Sequence, residues 1–232
     1  MDTSPSTGND IVALSATDRE RTILPRFYSR ILDAWEQAWY NQPVLQALPF
    51  DNYVWLLWSI KESVYKYKQR TDPGLVFSPT KIPVRELSAP SGQLPPPSGD
   101  GFYTATIDDI LHSRSVIRDN MIATVVSDNK NFENTGWGFQ SIDHSGYAHQ
   151  SSSVRDSVIS QLNPLLSRDH LQISKSPHGY PVLTDGEELL DIPVSLAHHD
   201  RWVSWSFVLP APGSGAFSAP GAFPTPAEQL PA

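Results

Sequence analysis

The chain has 232 residues, 39% of them hydrophobic and seven of them tryptophan, which suits one large domain or two small ones with a real core. It has no cysteine, which excludes disulfides, a thiol nucleophile and a Cys-type zinc site. A net charge of −8 argues against general nucleic-acid binding, and no run approaches the roughly 18 apolar residues of a membrane span. Residues 1–8 are polar and lack the charged and apolar regions of a signal peptide, so a cytoplasmic protein is the simplest fit.

The first element is Gly8-Asn9-Asp10-Ile11-Val12-Ala13-Leu14, a short strand with one carboxylate in an apolar run. A carboxylate there is tolerated facing a cleft or a metal, or facing solvent on an edge strand. Thr17-Asp18-Arg19-Glu20 has the form of a capping box that opens a helix. Pro25 interrupts or restarts that helix, while Phe27, Ile31 and Trp35 keep helical spacing. Ten of the seventeen Lys and Arg fall within residues 19–85. Arg19, Arg21, Arg26 and Arg30 make a local basic face on one reading and an ordinary solvated helix face on the other.

The next element is a helix of roughly 16 residues with Asp51 as its N-cap. Tyr53, Leu57, Ile60, Val64 and Tyr67 recur at steps of four and three and form one apolar stripe. Trp58, Glu62 and Lys66 form a separate line at steps of four, away from the centre of that stripe. Taken alone, Glu62 and Lys66 are a surface pair worth a few tenths of a kcal/mol. They become a metal and phosphate site only if tertiary structure brings in a second carboxylate.

Residues 88–101 are a Pro/Gly/Ser linker or long loop. Within residues 102–168, segments 121–126 and 136–142 read as strands. Segment 153–166 reads as a helix with Val154, Val158, Leu162 and Leu165 on one face. This stretch is expected to enlarge the sheet or form a small subdomain, and it carries no repeat and no motif with attached chemistry. Asp143-His144-Ser145-Gly146 reads as a loop. Residues 203–209 alternate as a strand with one buried face. His198-His199-Asp200 is expected to be structural or to contact phosphate, not zinc. Residues 1–212 are taken as one domain and residues 213–232, rich in Pro and Ala, as a disordered tail.

Four sets of residues carry a resemblance. Trp58-Ser59-Ile60-Lys61-Glu62-Ser63-Val64-Tyr65-Lys66 resembles the W-x-x-K-E-[AS]-x-x-K signature of the 4'-phosphopantetheinyl transferases. Gly8-Asn9-Asp10-Ile11-Val12 resembles their G-x-D-I-[EVT] strand. Arg26-Phe27-Tyr28-Ser29-Arg30-Ile31-Leu32 with Glu36 resembles the R-F-x-x-R-[IV]-L-x-x-x-E helix that follows it in holo-acyl-carrier-protein synthases. At the far end, Gly179-Tyr180-Pro181-Val182-Leu183 and Val194-Ser195-Leu196-Ala197-His198 resemble the G-x-P-x-[IL] and [VI]-S-[IL]-[ST]-H segments, with Ala197 where a Ser or Thr is usual. The order of the segments, and Val12 where the larger type has a third acid, are similar to the small holo-acyl-carrier-protein synthase type.

The resemblance implies an α+β fold: a twisted, mainly antiparallel sheet packed against the helices. It implies transfer of 4'-phosphopantetheine from coenzyme A to a serine of an acyl or peptidyl carrier protein, with release of adenosine 3',5'-bisphosphate. On that reading Asp10 and Glu62 hold Mg²⁺, with water in place of a third acid. Lys66 neutralises phosphate charge. The base is Glu62 itself or a metal-bound water. Lys61, Ser195 and His198 contact the coenzyme or, for Lys61, cap the edge of the site. Arg26 and Arg30 meet the carrier's acidic helix. The small enzymes are trimers with sites between subunits, and the 102–168 stretch either blocks or replaces that interface. Fatty-acid, polyketide and peptide synthesis all remain open as the pathway. The competing class is a non-catalytic module of the same fold that binds a carrier protein or coenzyme A. Ala197 favours it; the intact Asp10, Glu62 and Lys66 oppose it.

Overall fold

The computed structural model describes residues 6–90 and 101–211. Most of the expected 88–101 linker and all of the expected 213–232 tail lie outside these residues. The first strand, β1 (Gly8–Ala13), is followed by the short helices α1 (Arg19–Thr22), α2 (Pro25–Tyr28), α3 (Ala34–Trp39) and α4 (Pro43–Gln46). The long helix α5 (Phe50–Gln69) then leads into β2 (Val84–Ser88), β3 (Tyr103–Ile107), β4 (Leu111–Arg118) and β5 (Met121–Ser127). A second series follows: β6 (Thr135–Ser141), α6 (Tyr147–Leu166), β7 (Leu171–Lys175), β8 (Pro181–Asp185), β9 (Glu188–Leu190), β10 (Val194–His199) and β11 (Trp202–Val208).

The two series share one plan. Each runs from a strand through a 20-residue helix to further strands, and its last strand returns antiparallel beside its first. The first series makes a five-stranded antiparallel sheet in the order β1-β5-β4-β3-β2. The second makes the three-stranded sheets β10-β11-β6 and β7-β8-β9. The fold is therefore α+β, as expected. The 102–168 stretch is not a separate appendage: β5 pairs with β1 along its full length, and β6 pairs with β11. The repeat of plan was not expected from the sequence, because the halves share element order and not residues.

Hydrophobic burial explains the layering. Tyr53, Leu57, Ile60 and Val64 of α5 are fully buried in the first core with Val12, Ile107, Ile122 and Val126. Val154, Val158 and Leu162 of α6 do the same in the second, with Leu183, Val203, Trp205 and Phe207. A third, smaller cluster joins the halves through Ile11, Val116, Met121, Ala123, Phe139 and Ala197. The side chain of Ala197 thus sits among apolar neighbours, where a hydroxyl would need a partner. No helix among the described residues is long and apolar enough to cross a membrane.

Several boundaries differ from expectation for identifiable reasons. Helix α5 has 20 residues and starts from Pro49, which has no N–H to leave unpaired at a helix start; Asp51 lies inside the first turn and pairs with Arg19 at 3.5 Å. Asp18, not Thr17, caps α1, accepting from Arg21 N. The capping box belongs to α3, where Asp33 and Glu36 exchange bonds with each other's backbone. The helix restarts at Pro25, as expected, but it does not run on to Glu36: it breaks again before Asp33. Helix α6 begins six residues before the expected 153, because its polar first turns carry no apolar period. Strand β11 is buried on both faces: Ser204 and Ser206 turn inward to Asn9 Nδ2 and Thr7 Oγ1.

Candidate active site

The site is built where β1 crosses α5. Gly8 allows the crossing: a Cβ on it would lie 1.9 Å from Ser63 O and 2.8 Å from Tyr67 N. Two residues on, Asp10 meets the helix. Lys66 Nζ lies 3.2 Å from Asp10 Oδ1 and 3.4 Å from Glu62 Oε1. Asp10 is 5% exposed, and its Oδ2 is buried with no hydrogen-bond partner. Burial pushes the Asp10 carboxyl up to about 7; Lys66 opposes this and the Glu62 charge adds to it. Burial disfavours charge on Lys66 as well, but Asp10 and Glu62 outweigh it and hold the ammonium above its ordinary value.

The other wall is β10. By hydrogen bonding β1 is an edge strand, yet all six of its residues are buried, because β10 lies against its open side. Side chains take the place of a ladder there. Ser195 Oγ accepts from Asn9 N at 3.2 Å, and His199 Nδ1 accepts from Ala13 N at 3.2 Å. His199 therefore presents an unprotonated Nδ1 to the strand. His198, half-buried, has Tyr147 edge-on at 5.5 Å between ring centroids. Burial first, then the charges of Lys66, His199, Arg155 and Lys175, push its imidazole below the usual range. Lys66, Arg155 and Lys175 thus put positive charge within electrostatic reach of His198.

Half of the eight sequence-derived residues converge. Asp10, Glu62 and Lys66 are in direct contact, and His198 faces them from β10. Ser195 is buried, and its oxygen is engaged by Asn9 N, so it fixes β1 before it can serve anything else. Lys61 does not join the site, contrary to expectation. Its side chain is fully buried, with Nζ donating to Glu36 Oε2 at 2.6 Å and Ile31 O at 2.7 Å. Lys61 is four residues after Leu57 and three before Val64, so the apolar stripe itself marks it as inward-facing. Arg26 and Arg30 are exposed on and just after α2, apart from this cluster, with Trp35 also exposed nearby in the chain. Sequence reasoning missed Tyr147, Arg155 and Lys175, which tertiary structure alone brings to His198. The 143–146 segment is a loop, as expected, and its His144 ring stacks on His149.

The residues fit a hard divalent cation. Two carboxylates face one point, one of their oxygens is buried without a partner, and an ammonium now neutralises them. Oxygen donors with room for water are what Mg²⁺ takes. Among the described residues no third acid or histidine completes a metal cluster.

A family model described as ACPS, 4'-phosphopantetheinyl transferase superfamily, matches residues 6–125, more than half of the chain. The match spans β1 to β5 and continues through residues 102–125, which the sequence reading set aside as an interruption. No curated protein matches the chain.

Proposed function

The chain belongs to the 4'-phosphopantetheinyl transferase superfamily, and from that premise we propose that it moves phosphopantetheine from coenzyme A to a carrier-protein serine. The observation that carries this is the contact of Lys66 with both Asp10 and Glu62, with His198 of β10 within electrostatic reach of Lys66. The carrier serine oxygen attacks the phosphorus next to pantetheine. The bond from that phosphorus to the bridging oxygen breaks, and adenosine 3',5'-bisphosphate leaves. Glu62 takes the serine proton. Lys66 neutralises the charge that grows on the phosphate oxygens. Asp10 and Glu62 would hold Mg²⁺, which when bound supplies charge stabilisation at the pyrophosphate. His198, Arg155 and Lys175 receive the coenzyme's phosphates, Ser195 holds β1 in place, and Lys61 acts only in the scaffold. Arg26 and Arg30 meet the carrier.

A binding-only module has no need of a buried carboxylate with an unpaired oxygen, so the Asp10 environment supports turnover. The hairpin that walls the site comes from the same chain as β1, which supports a monomer over a trimer with shared sites. The test is mass spectrometry of apo carrier proteins incubated with the enzyme, coenzyme A and Mg²⁺. A carrier heavier by one phosphopantetheine is expected. Unmodified acyl and peptidyl carriers alike, with coenzyme still bound, would favour the binding module. Light scattering of the active species reads the oligomeric state.

A further inference from the structure

Arg70 follows α5 directly and is half-buried, yet no carboxylate pairs with it among the described residues. Its Nη2 donates to Pro181 O at 3.0 Å and also to Val194 O, and the guanidinium lies 5.1 Å from the centre of the Tyr180 ring. Burial lowers its pKa to about 10, with Tyr180 opposing. Withdrawing a cation from water against neutral partners costs stability. The arrangement therefore calls for a gain elsewhere.

The gain lies in a closed triangle of contacts. Lys66 on α5 holds Asp10 on β1. Asn9, the neighbour of Asp10, donates to Ser195 on β10. Val194, the neighbour of Ser195, accepts from Arg70, one turn beyond Lys66 on the first helix. Each of the three elements that carry the site is tied to the other two. The Arg70 side ties α5 to β10 directly, where the other two sides join them through β1.

We propose that Arg70 is a positioning residue that sets the strand bearing Ser195 and His198 against the helix bearing Glu62 and Lys66, and so fixes the width of the coenzyme cleft. The guanidinium suits this role because Nη2 alone donates to both carbonyls while the planar group lies over the Tyr180 ring; an ammonium could donate to two carbonyls but has no plane to lay on the ring. The proposal rests on the reading of β10 as the coenzyme wall. It assigns Arg70 no contact with the reacting atoms.

The experiment compares Arg70→Ala and Arg70→Lys with wild type. Coenzyme A affinity is read by calorimetry with Mg²⁺ present, KM for the carrier by transfer kinetics, and backbone hydrogen exchange over residues 194–199 and 111–127. Arg70→Ala should weaken coenzyme binding about tenfold or more, with Arg70→Lys between it and wild type. Carrier KM should stay within about twofold. Exchange should rise in 194–199 and not in 111–127. Coenzyme affinity unchanged in both variants overturns the proposal. So does a loss accompanied by equal loosening of both hairpins, which is general destabilisation. If Arg70→Ala does not fold, Arg70→Lys decides by the same readings. Wild type that binds coenzyme but modifies no carrier sinks the transfer reading and leaves the Arg70 result standing. Wild type that binds no coenzyme sinks both.

Discussion

Lys66 and Asp10 lie 3.2 Å apart although 56 residues separate them in the chain. Lys66 also reaches Glu62, one turn back on its own helix, at 3.4 Å. The second contact is the local pair any exposed helix can form, worth a few tenths of a kcal/mol. The first exists only because β1 crosses α5 at a glycine. It leaves the other Asp10 oxygen buried and unpaired, a local cost that the surrounding cores must offset.

On the proposed function, in which Asp10 and Glu62 would hold Mg²⁺, Asp10→Asn and Glu62→Gln should each reduce phosphopantetheine transfer by about a hundredfold or more. The same loss should follow chelation of wild type and be reversed by Mg²⁺. Near-normal single-turnover rates in either variant would remove the metal from the scheme.

The Asp10 carboxyl also predicts a pH signature of the metal-free protein. Its folded-state value of about 7 lies above the ordinary 3.8, so between those values the folded state holds a proton that the unfolded chain has lost. Stability should therefore fall as pH rises through that window, by on the order of a few kcal/mol. In chelator, melting curves from pH 4.5 to 7.5 should show this fall in wild type relative to Asp10→Asn. Mg²⁺, which binds the ionised form, should remove the difference at pH 7.5. Parallel wild-type and variant profiles in chelator would show that Asp10 titrates normally.

The stripe of Tyr53, Leu57, Ile60 and Val64 was readable because a helix must bury an apolar face, and its period survives in one short segment. Asp10, Glu62 and Lys66 were readable for a different reason: the residue types were quoted from a family pattern, and the contact itself came from folding. Lys61 differs from what the resemblance implies, a contact with the coenzyme or a cap on the site's edge, because it is fully buried against Glu36. Its position on the stripe marks it as inward-facing, but its partner Glu36 lies 25 residues away in a helix whose start was misplaced. Arg155 and Lys175 were not legible at all. They act on His198 electrostatically from α6 and β7, and nothing in the local sequence marks either of them.

The Glu36–Lys61 pair predicts a stability result with no direct catalytic component. Both side chains are fully buried, and Glu36 Oε1 also accepts from Val84 N at 3.3 Å while Oε2 accepts from Asp33 N at 2.9 Å. Removing one partner strands a buried charge, so Glu36→Gln or Lys61→Ala should each cost about 3–5 kcal/mol. Urea unfolding measures this. Coenzyme affinity of the folded fraction should stay near wild type; a selective loss in Lys61→Ala would return Lys61 to the coenzyme site.

Gly8→Ala should separate β1 from α5. The added Cβ meets the backbone of Ser63 and Tyr67, which cannot swing aside as a side chain can. A clash of this kind costs about 1–3 kcal/mol, and a shift of roughly 1 Å at Asp10 is enough to lower the rate about a hundredfold. Activity should thus fall much further than thermal stability. A variant with wild-type turnover would show that the crossing can relax without moving Asp10.

Arg30 predicts the orientation of the two substrates. It is exposed just after α2, whereas Lys66, Arg155 and Lys175, whose charges act on His198, lie on α5, α6 and β7. Carrier proteins of this superfamily's reaction present an acidic helix, on the resemblance noted above, so a basic exposed segment away from the coenzyme wall is the surface that suits them. Arg30→Glu should raise KM for the carrier and leave coenzyme affinity nearly unchanged, with Arg26→Glu adding to the effect. Raising ionic strength should weaken carrier binding by wild type and narrow its advantage over the variant, because exposed charges are screened within about 10 Å at 0.1 M salt. A rise in coenzyme KM with carrier affinity intact would make Arg30 a phosphate ligand and reverse the orientation. If both constants move together with a fall in melting temperature, Arg30 is holding the α2–α3 segment, and the carrier must dock elsewhere.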